Sequence, residues 1–168
     1  MIKGAAADLP TEFSSPACSA HEASDSYMGF AESEEIVAFL NRLLEAERAG
    51  ALVAFESARQ AAPGPIVTLL WDTREDETKW GAMLLRHLRA LGATPSSVIG
   101  EFHAKAMAIP DRRDRILFLN HGQEWVVKNL RRMLPRIRDD RLHADLQEML
   151  AAHAAKSCAQ RTAWTTEP

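Results

Sequence analysis

Apolar residues recur every three or four positions along four long segments of the chain, the spacing that places them on one face of an α-helix. The first two stripes each contain a carboxylate. They read Ile36, Leu40, Leu43, Glu47, Ala51, Ala54, Ala58 and Leu70, Thr73, Glu77, Trp80, Leu84, Leu88, Leu91. Glu47 and Glu77 are therefore predicted to face the interior of the protein, whereas Glu45 lies off the stripe.

The third and fourth segments add further ionisable residues. In the third, His121 and Glu124 share a face with Leu117 and Leu134, and the adjoining face consists of Ile116, Leu119, Val126 and Leu130. Glu124 is predicted to lie at the border between the two. In the fourth, the stripe Leu142, Leu146, Met149, His153, Ser157 turns His153 inward. Each helix thus provides one candidate, namely Glu47, Glu77, Glu124 or His153.

Local signals predict where the helices begin and end. Ser33 can cap a first helix that runs to about residue 62, and Pro65 fits the first position of a second helix that Gly92 ends. A short helix is predicted around residues 98–108. Asp111 opens the third long helix, which Pro135 stops, and Asp139 or Asp140 caps the fourth, which runs to about residue 163.

These segments predict an all-α domain. Residues 1–32 lack a sustained period and are interpreted as a flexible N-terminal arm, residues 33–163 as the helical domain, and residues 164–168 as a tail. Short, long and short connections between four long helices are typical of a four-helix bundle with a long crossover between helices two and three.

Composition and charge narrow the classes of function. The chain has 20 Lys plus Arg against 23 Asp plus Glu, a net charge of -3, so neither nucleic acid nor an anionic membrane is an expected partner. Cys18 and Cys158 have no metal-ligand spacing. Because no signal peptide or apolar span of about twenty residues is evident, we expect a cytoplasmic protein.

Buried carboxylates need a partner, because an unpaired charge in an apolar interior costs several kcal/mol. Two or more at one level of a bundle indicate a metal ion, a shared proton or a basic partner. The simplest alternative to a metal is that Glu47 and Glu77 pair with Arg48, Lys79, His153 or ordered water.

Two segments resemble ferritin-like proteins. Leu40-Asn-Arg-Leu-Leu-Glu-Ala-Glu47 resembles their first helix, in which a Glu at the position of Glu47 ligates iron, and Leu88-Arg-Ala-Leu-Gly-Ala-Thr-Pro-Ser96 resembles the end of their second. The resemblance covers roughly residues 34–160. It is closest to an uncharacterised branch that is similar to domains sometimes fused to a DJ-1/PfpI-like domain. It implies a ferritin-like four-helix bundle.

The chain departs from the ligand set of that family. Ferritin-like di-iron proteins use a Glu from each of two helices and a Glu-x-x-His pair from each of the other two. Here the corresponding pairs read Glu77-Thr-Lys-Trp80 and Leu150-Ala-Ala-His153, so one ligand is missing from each. The resemblance therefore implies a degenerate di-iron site made of Glu47, Glu77, Glu124 and His153, with His121 as an additional ligand.

Three functions fit these residues. The first is a domain that acts by association, as a homodimer or with a stress-related protein partner, and that has lost its di-iron chemistry. The alternative is an oxidoreductase that uses iron or manganese at the residual carboxylate and histidine site. Iron storage is a weaker third, because ferritin cages need a complete oxidation site. No nucleophile elbow or glycine-rich phosphate loop is present to indicate a hydrolase or a nucleotide-binding protein.

Overall fold

The computed structural model describes residues 28–165, with side chains described through residue 157. Within that range every regular element is a helix. Five α-helices follow one another: α1 (Ser33–Arg59), α2 (Pro65–Ala90), α3 (Glu101–Met107), α4 (Arg112–Met133) and α5 (Asp140–Thr165), with one 3-10 turn at Leu134–Arg136. The predicted all-α class is confirmed. The predictions for residues 1–27 and 166–168 fall outside the described residues.

Most predicted helix ends are confirmed. Pro65 is the first residue of α2, and Gly92 adopts the left-handed conformation with φ +67 just after that helix. The Asp111 carboxylate accepts a hydrogen bond from the Asp114 amide at 2.9 Å at the start of α4. The Asp139 carboxylate accepts one from the Leu142 amide at 2.6 Å at the start of α5. Side chains that accept these otherwise unpaired amides fix the first turn of each helix.

Three boundaries differ from the predictions. Helix α1 ends at Arg59 rather than near residue 62, α3 begins at Glu101 rather than near residue 98, and α5 extends through Thr165. The prediction of a flexible N-terminal arm over residues 1–32 is wrong at the C-terminal end of that range. Ala31 is buried, and its amide donates to the Arg136 carbonyl at 2.8 Å, so this residue belongs to the core.

The four long helices pack around a shared apolar core. Helix α1 lies beside α2 and α4, and α5 also lies beside α2 and α4, so α1 and α5 are diagonal to each other. Each helix contributes buried side chains to this core, among them Leu40, Leu43, Leu84, Leu88, Val126, Leu130, Leu146 and Met149. Residues on the inward stripes of all four helices therefore converge on one axis.

The long connection between α2 and α4 runs along α1. Near its start, the Ser96 amide donates to Asn41 Oδ1 at 2.7 Å and the Ser96 hydroxyl donates to Glu45 Oε1 at 2.5 Å. Near its end, Arg115 donates to Gln60 Oε1 at 2.8 Å. The connection thus spans from the first half of α1 to its C-terminal end. As a result α2 and α4 begin at the same end of the molecule and run in the same direction. None of the helices in the described range is long and apolar enough to cross a membrane.

Candidate metal centre

Glu47 of α1 and Glu77 of α2 face each other in the interior. Glu47 is 0% exposed and Glu77 is 4% exposed, as their positions on the apolar stripes predict. The helices come close enough here because residue 50 is a glycine. A Cβ at Gly50 would lie 2.8 Å from Glu77 Oε2 and 2.9 Å from its Cδ, so any larger residue would occupy the space of the carboxylate.

His153 of α5 completes the group from the opposite corner. Its Nδ1 lies 3.0 Å from the Met149 carbonyl oxygen, which can only accept, so Nδ1 carries the hydrogen. In the neutral ring the lone pair is then on Nε2, which lies 3.3 Å from Glu47 Oε1. The Trp80 indole lies beside the imidazole, with 6.4 Å between the ring centroids, and screens it from solvent.

The three side chains form a compact set of potential metal ligands. One ligand atom from each of Glu47, Glu77 and His153 lies within 4.8 Å of the others. Both oxygens of Glu47 and Nε2 of His153 are buried without a hydrogen-bond partner among the described residues. Buried polar atoms are nearly always satisfied, since leaving one unpaired costs about 1–3 kcal/mol. A cation or shared protons at the centre of the group would satisfy all three atoms.

Burial controls the protonation of this group. It raises the pKa of Glu47 to about 8, an effect that the neighbouring Glu77 carboxyl group reduces. The pKa of Glu77 is also raised well above its usual value, first by burial and then by the neighbouring Glu47 charge. Burial lowers the pKa of His153. Without a cation, the carboxyls therefore hold protons near neutral pH and the imidazole stays neutral.

Gln123 supplies the fourth side chain at this level, from α4. It is 4% exposed, and its Nε2 donates to Glu77 Oε1. One Glu77 oxygen is thus occupied by the amide, which leaves the other without this bond. Sequence reasoning missed Gln123, although it lies four residues after Leu119 and three before Val126 on the face that proves to be the buried one.

The sequence of this chain matches a known family. A family model described as a domain of unknown function, DUF6306, matches residues 34–161. The chain belongs to the DUF6306 family. Searches of curated proteins and of solved structures each found no match. The matched part of the DUF6306 domain includes Glu47, Glu77, Gln123 and His153.

Two residues predicted as ligands do not join the group in the DUF6306 domain. Glu124 is only partly buried and lies 3.5 Å from the Ser157 hydroxyl, and His121 is exposed. The structure therefore does not bring these two predicted ligands together with Glu47, Glu77 and His153. The reason is rotational, because successive residues of a helix are about 100° apart. With Gln123 pointing at the axis, Glu124 points toward α5 and His121 toward solvent.

The predicted basic partners are engaged elsewhere. Arg48 donates to the Ser96 carbonyl, and Lys79 pairs with Glu148 at 2.9 Å. Of the partners predicted for the two carboxylates, His153 alone among the protein side chains contacts one of them. Lys156 lies nearby on α5 but pairs with Asp76 at 2.5 Å. Among the residues that the structure describes, no Lys or Arg is therefore bonded to the two acids and the neutral base at the centre of the DUF6306 domain.

Proposed function

We propose that this DUF6306 protein is a ferritin-like four-helix bundle that binds a single iron or manganese ion through Glu47, Glu77 and His153. One observation carries the proposal. Three potential ligand atoms are gathered within 4.8 Å in the interior, and within the described part of the chain Glu47 and His153 present atoms without hydrogen-bond partners.

The arrangement of helices supports the ferritin-like assignment. Each of the four long helices contributes one polar side chain at the same level, as in bundles that hold metals between facing helices. These side chains are Glu47, Glu77, Gln123 and His153. The long connection that runs along α1 joins α2 to α4, as a crossover between the second and third long helices would.

Each residue would have a distinct part in holding the ion. The Met149 carbonyl fixes the His153 ring so that Nε2 faces the centre, which is the outer-shell contact that metal-ligating histidines usually make. Glu47 offers both oxygens, and Gln123 holds Glu77 by one oxygen while leaving the other. Two ionised carboxylates would balance the charge of a divalent ion. The bound ion would supply Lewis acidity or redox chemistry.

The donor set favours one ion rather than two. Trp80 and Leu150 stand where ferritin-like di-iron proteins have the two further ligands, and both pack with the apolar core. Nitrogen and oxygen donors without a thiolate suit iron and manganese. A degenerate, mononuclear centre is therefore the form of the site that these residues support.

Metal content of the purified protein tests the proposal. Elemental analysis after expression with added iron or manganese should give close to one ion per chain. The substitutions Glu47→Gln and His153→Gln should abolish binding, whereas Glu124→Gln should retain it because Glu124 is outside the group. Less than about 0.1 ion per chain in the unsubstituted protein would refute the proposal, as would retention by the Glu47→Gln variant.

We also infer that the protein acts as a homodimer, because apolar side chains are exposed on the connection between α2 and α4. Val98 and Ile99 are 57% and 47% exposed, and Ile99 borders a groove between α1 and α2. Light scattering on a sizing column should give twice the chain mass. The double substitution Val98→Asp, Ile99→Asp should give the monomer, and a monomeric unsubstituted protein would contradict the inference.

A further inference from the structure

A cavity of about 460 Å³ lies between α1, α3 and α4. Its walls are largely apolar and include the stacked rings of Phe102 and Phe118, whose centroids are 4.8 Å apart and whose planes differ by 11°. Gly122 allows this arrangement, since a Cβ there would lie 2.8 Å from the Phe102 ring. Trp125, 44% exposed, forms part of the outer wall.

The inner end of the cavity reaches the candidate metal centre. Glu77, Gly50 and Gln123 all line it. Because residue 50 lacks a side chain, nothing at that position separates the Glu77 carboxylate from the cavity. Glu77 is thus shared between the metal-ligand group on one side and this apolar space on the other.

The charged groups lie at the outer rim. Lys105 and Glu101 pair with each other at 2.8 Å and are both exposed, and Glu45 accepts a hydrogen bond from the Ser96 hydroxyl. The exposed Arg42 and His121 and the half-buried Glu45 line the cavity as well, so Glu77 is the one buried carboxyl group on an otherwise mostly aromatic and aliphatic surface. That lining favours an uncharged ligand with a flat apolar body.

We propose that this cavity binds a small neutral aromatic molecule, of one or two rings, with one edge at the Glu77 carboxylate. Its volume is within the range of about 300–1,000 Å³ that small-molecule sites occupy. A role of this cavity as the substrate site of a metal-dependent reaction rests on the function proposed above. The binding itself depends only on the cavity.

Isothermal titration with indole as the probe tests the binding. Indole should bind the unsubstituted protein. Ala46→Phe, which adds a ring at a position lining the cavity, should weaken the binding at least tenfold. Ala51→Phe is the matched control, because it places the same ring at a half-buried position on the same helix, bordering a different groove. No binding to the unsubstituted protein, or equal loss in both variants, would overturn the proposal.

Relaxation of the indole protons tests the position of the probe. Indole bound beside Glu77 should relax faster with protein loaded with paramagnetic Mn²⁺ than with Zn²⁺, and Ala46→Phe should remove the difference. Equal relaxation with both metals, where both are bound, would place the probe elsewhere and overturn the proposal. If neither metal binds, the function proposed above fails, while the titration still decides whether the cavity is a ligand site.

Discussion

Glu47 and His153 meet through atoms that both carry lone pairs. The Met149 carbonyl holds the imidazole hydrogen on Nδ1, so the neutral Nε2 cannot donate to Glu47 Oε1 across the 3.3 Å between them. The contact is favourable only if a proton or a cation lies between the two atoms. The proposed metal ion and the protons would therefore compete for the same position.

Gly50 is the residue on which the geometry of the centre depends most directly. In Gly50→Ala the added Cβ would overlap the Glu77 carboxylate and displace it, so we expect metal affinity to fall about 10- to 100-fold, the usual effect of misplacing a ligand. Competition with a chelator measures this affinity.

Gly81→Ala is the control for this substitution. There the new Cβ would lie 3.9 Å from Leu44 Cδ1 and 4.0 Å from Glu47 Cβ, which is ordinary contact. We expect unchanged metal affinity and a gain of about 0.5–1 kcal/mol in stability, because Ala is the better helix former. Equal affinities of the Gly50→Ala and unsubstituted proteins would contradict the assigned role of Gly50.

Three of the four side chains at the centre could be predicted from the sequence, and one could not. Glu47, Glu77 and His153 each interrupt a single apolar stripe, which leaves one direction for them to point. Helix α4 instead has two adjoining apolar faces, and the choice between Gln123 and Glu124 depends on which face the neighbouring helices cover. The sequence pattern favoured Glu124 because it is ionisable, whereas the packing of the neighbouring helices buries the Gln123 amide instead.

At the scale of the helices, the residues that begin or end a helix were predicted reliably from the local sequence. Pro65, Gly92, Asp111 and Asp139 act through the backbone within a few residues, so their effects could be predicted without knowing the fold. The route of the connection between α2 and α4 could not, because it depends on contacts with α1 about fifty positions away, such as Ser96 with Asn41.

Arg115 ties the end of that connection to α1. It is buried and donates to the Ile109 carbonyl at 3.1 and 2.9 Å and to Gln60 Oε1 at 2.8 Å. Arg115→Ala would remove these charge-assisted hydrogen bonds together with the buried stem of the side chain, so we expect a loss of about 2 kcal/mol in the free energy of unfolding by urea.

Arg112→Ala is the matched control for that loss. Arg112 also bonds Gln60, through its carbonyl at 2.7 Å, but is exposed, and water can replace it. Its loss should be below about 0.5 kcal/mol. Similar losses for the two variants would show that burial of Arg115 does not anchor the connection.

For the whole molecule, the raised pKa values predict a metal-free protein that loses stability as pH rises. A carboxyl whose pKa is raised on folding binds more protons in the folded state, and this stabilisation is lost between its unfolded value, 4.5, and its folded value, about 8 for Glu47. His153, whose pKa is lowered, acts in the opposite sense only below its usual 6.5. Above pH 6.5 the carboxyl effect therefore stands alone within this group.

Urea unfolding of chelator-treated protein measures this effect. Between pH 6.5 and about 8 the free energy of unfolding should fall by up to about 2 kcal/mol for Glu47, at about 1.4 kcal/mol per pH unit. The double variant Glu47→Gln, Glu77→Gln should lack this slope, and Glu45→Gln should keep it. A slope that is the same in the double variant would mean that other groups cause it.

Because α1 and α5 belong to different hairpins, the candidate metal centre can form only when the two hairpins pack together. The N-terminal hairpin, α1 with α2, holds both acids, and the C-terminal hairpin, α4 with α5, holds the amide and the imidazole. Neither half-molecule carries a complete ligand set. Under the proposed function, a chain cleaved in the exposed stretch before α3 would bind the ion only when the two fragments reassociate, so ion capture would report that the halves have docked.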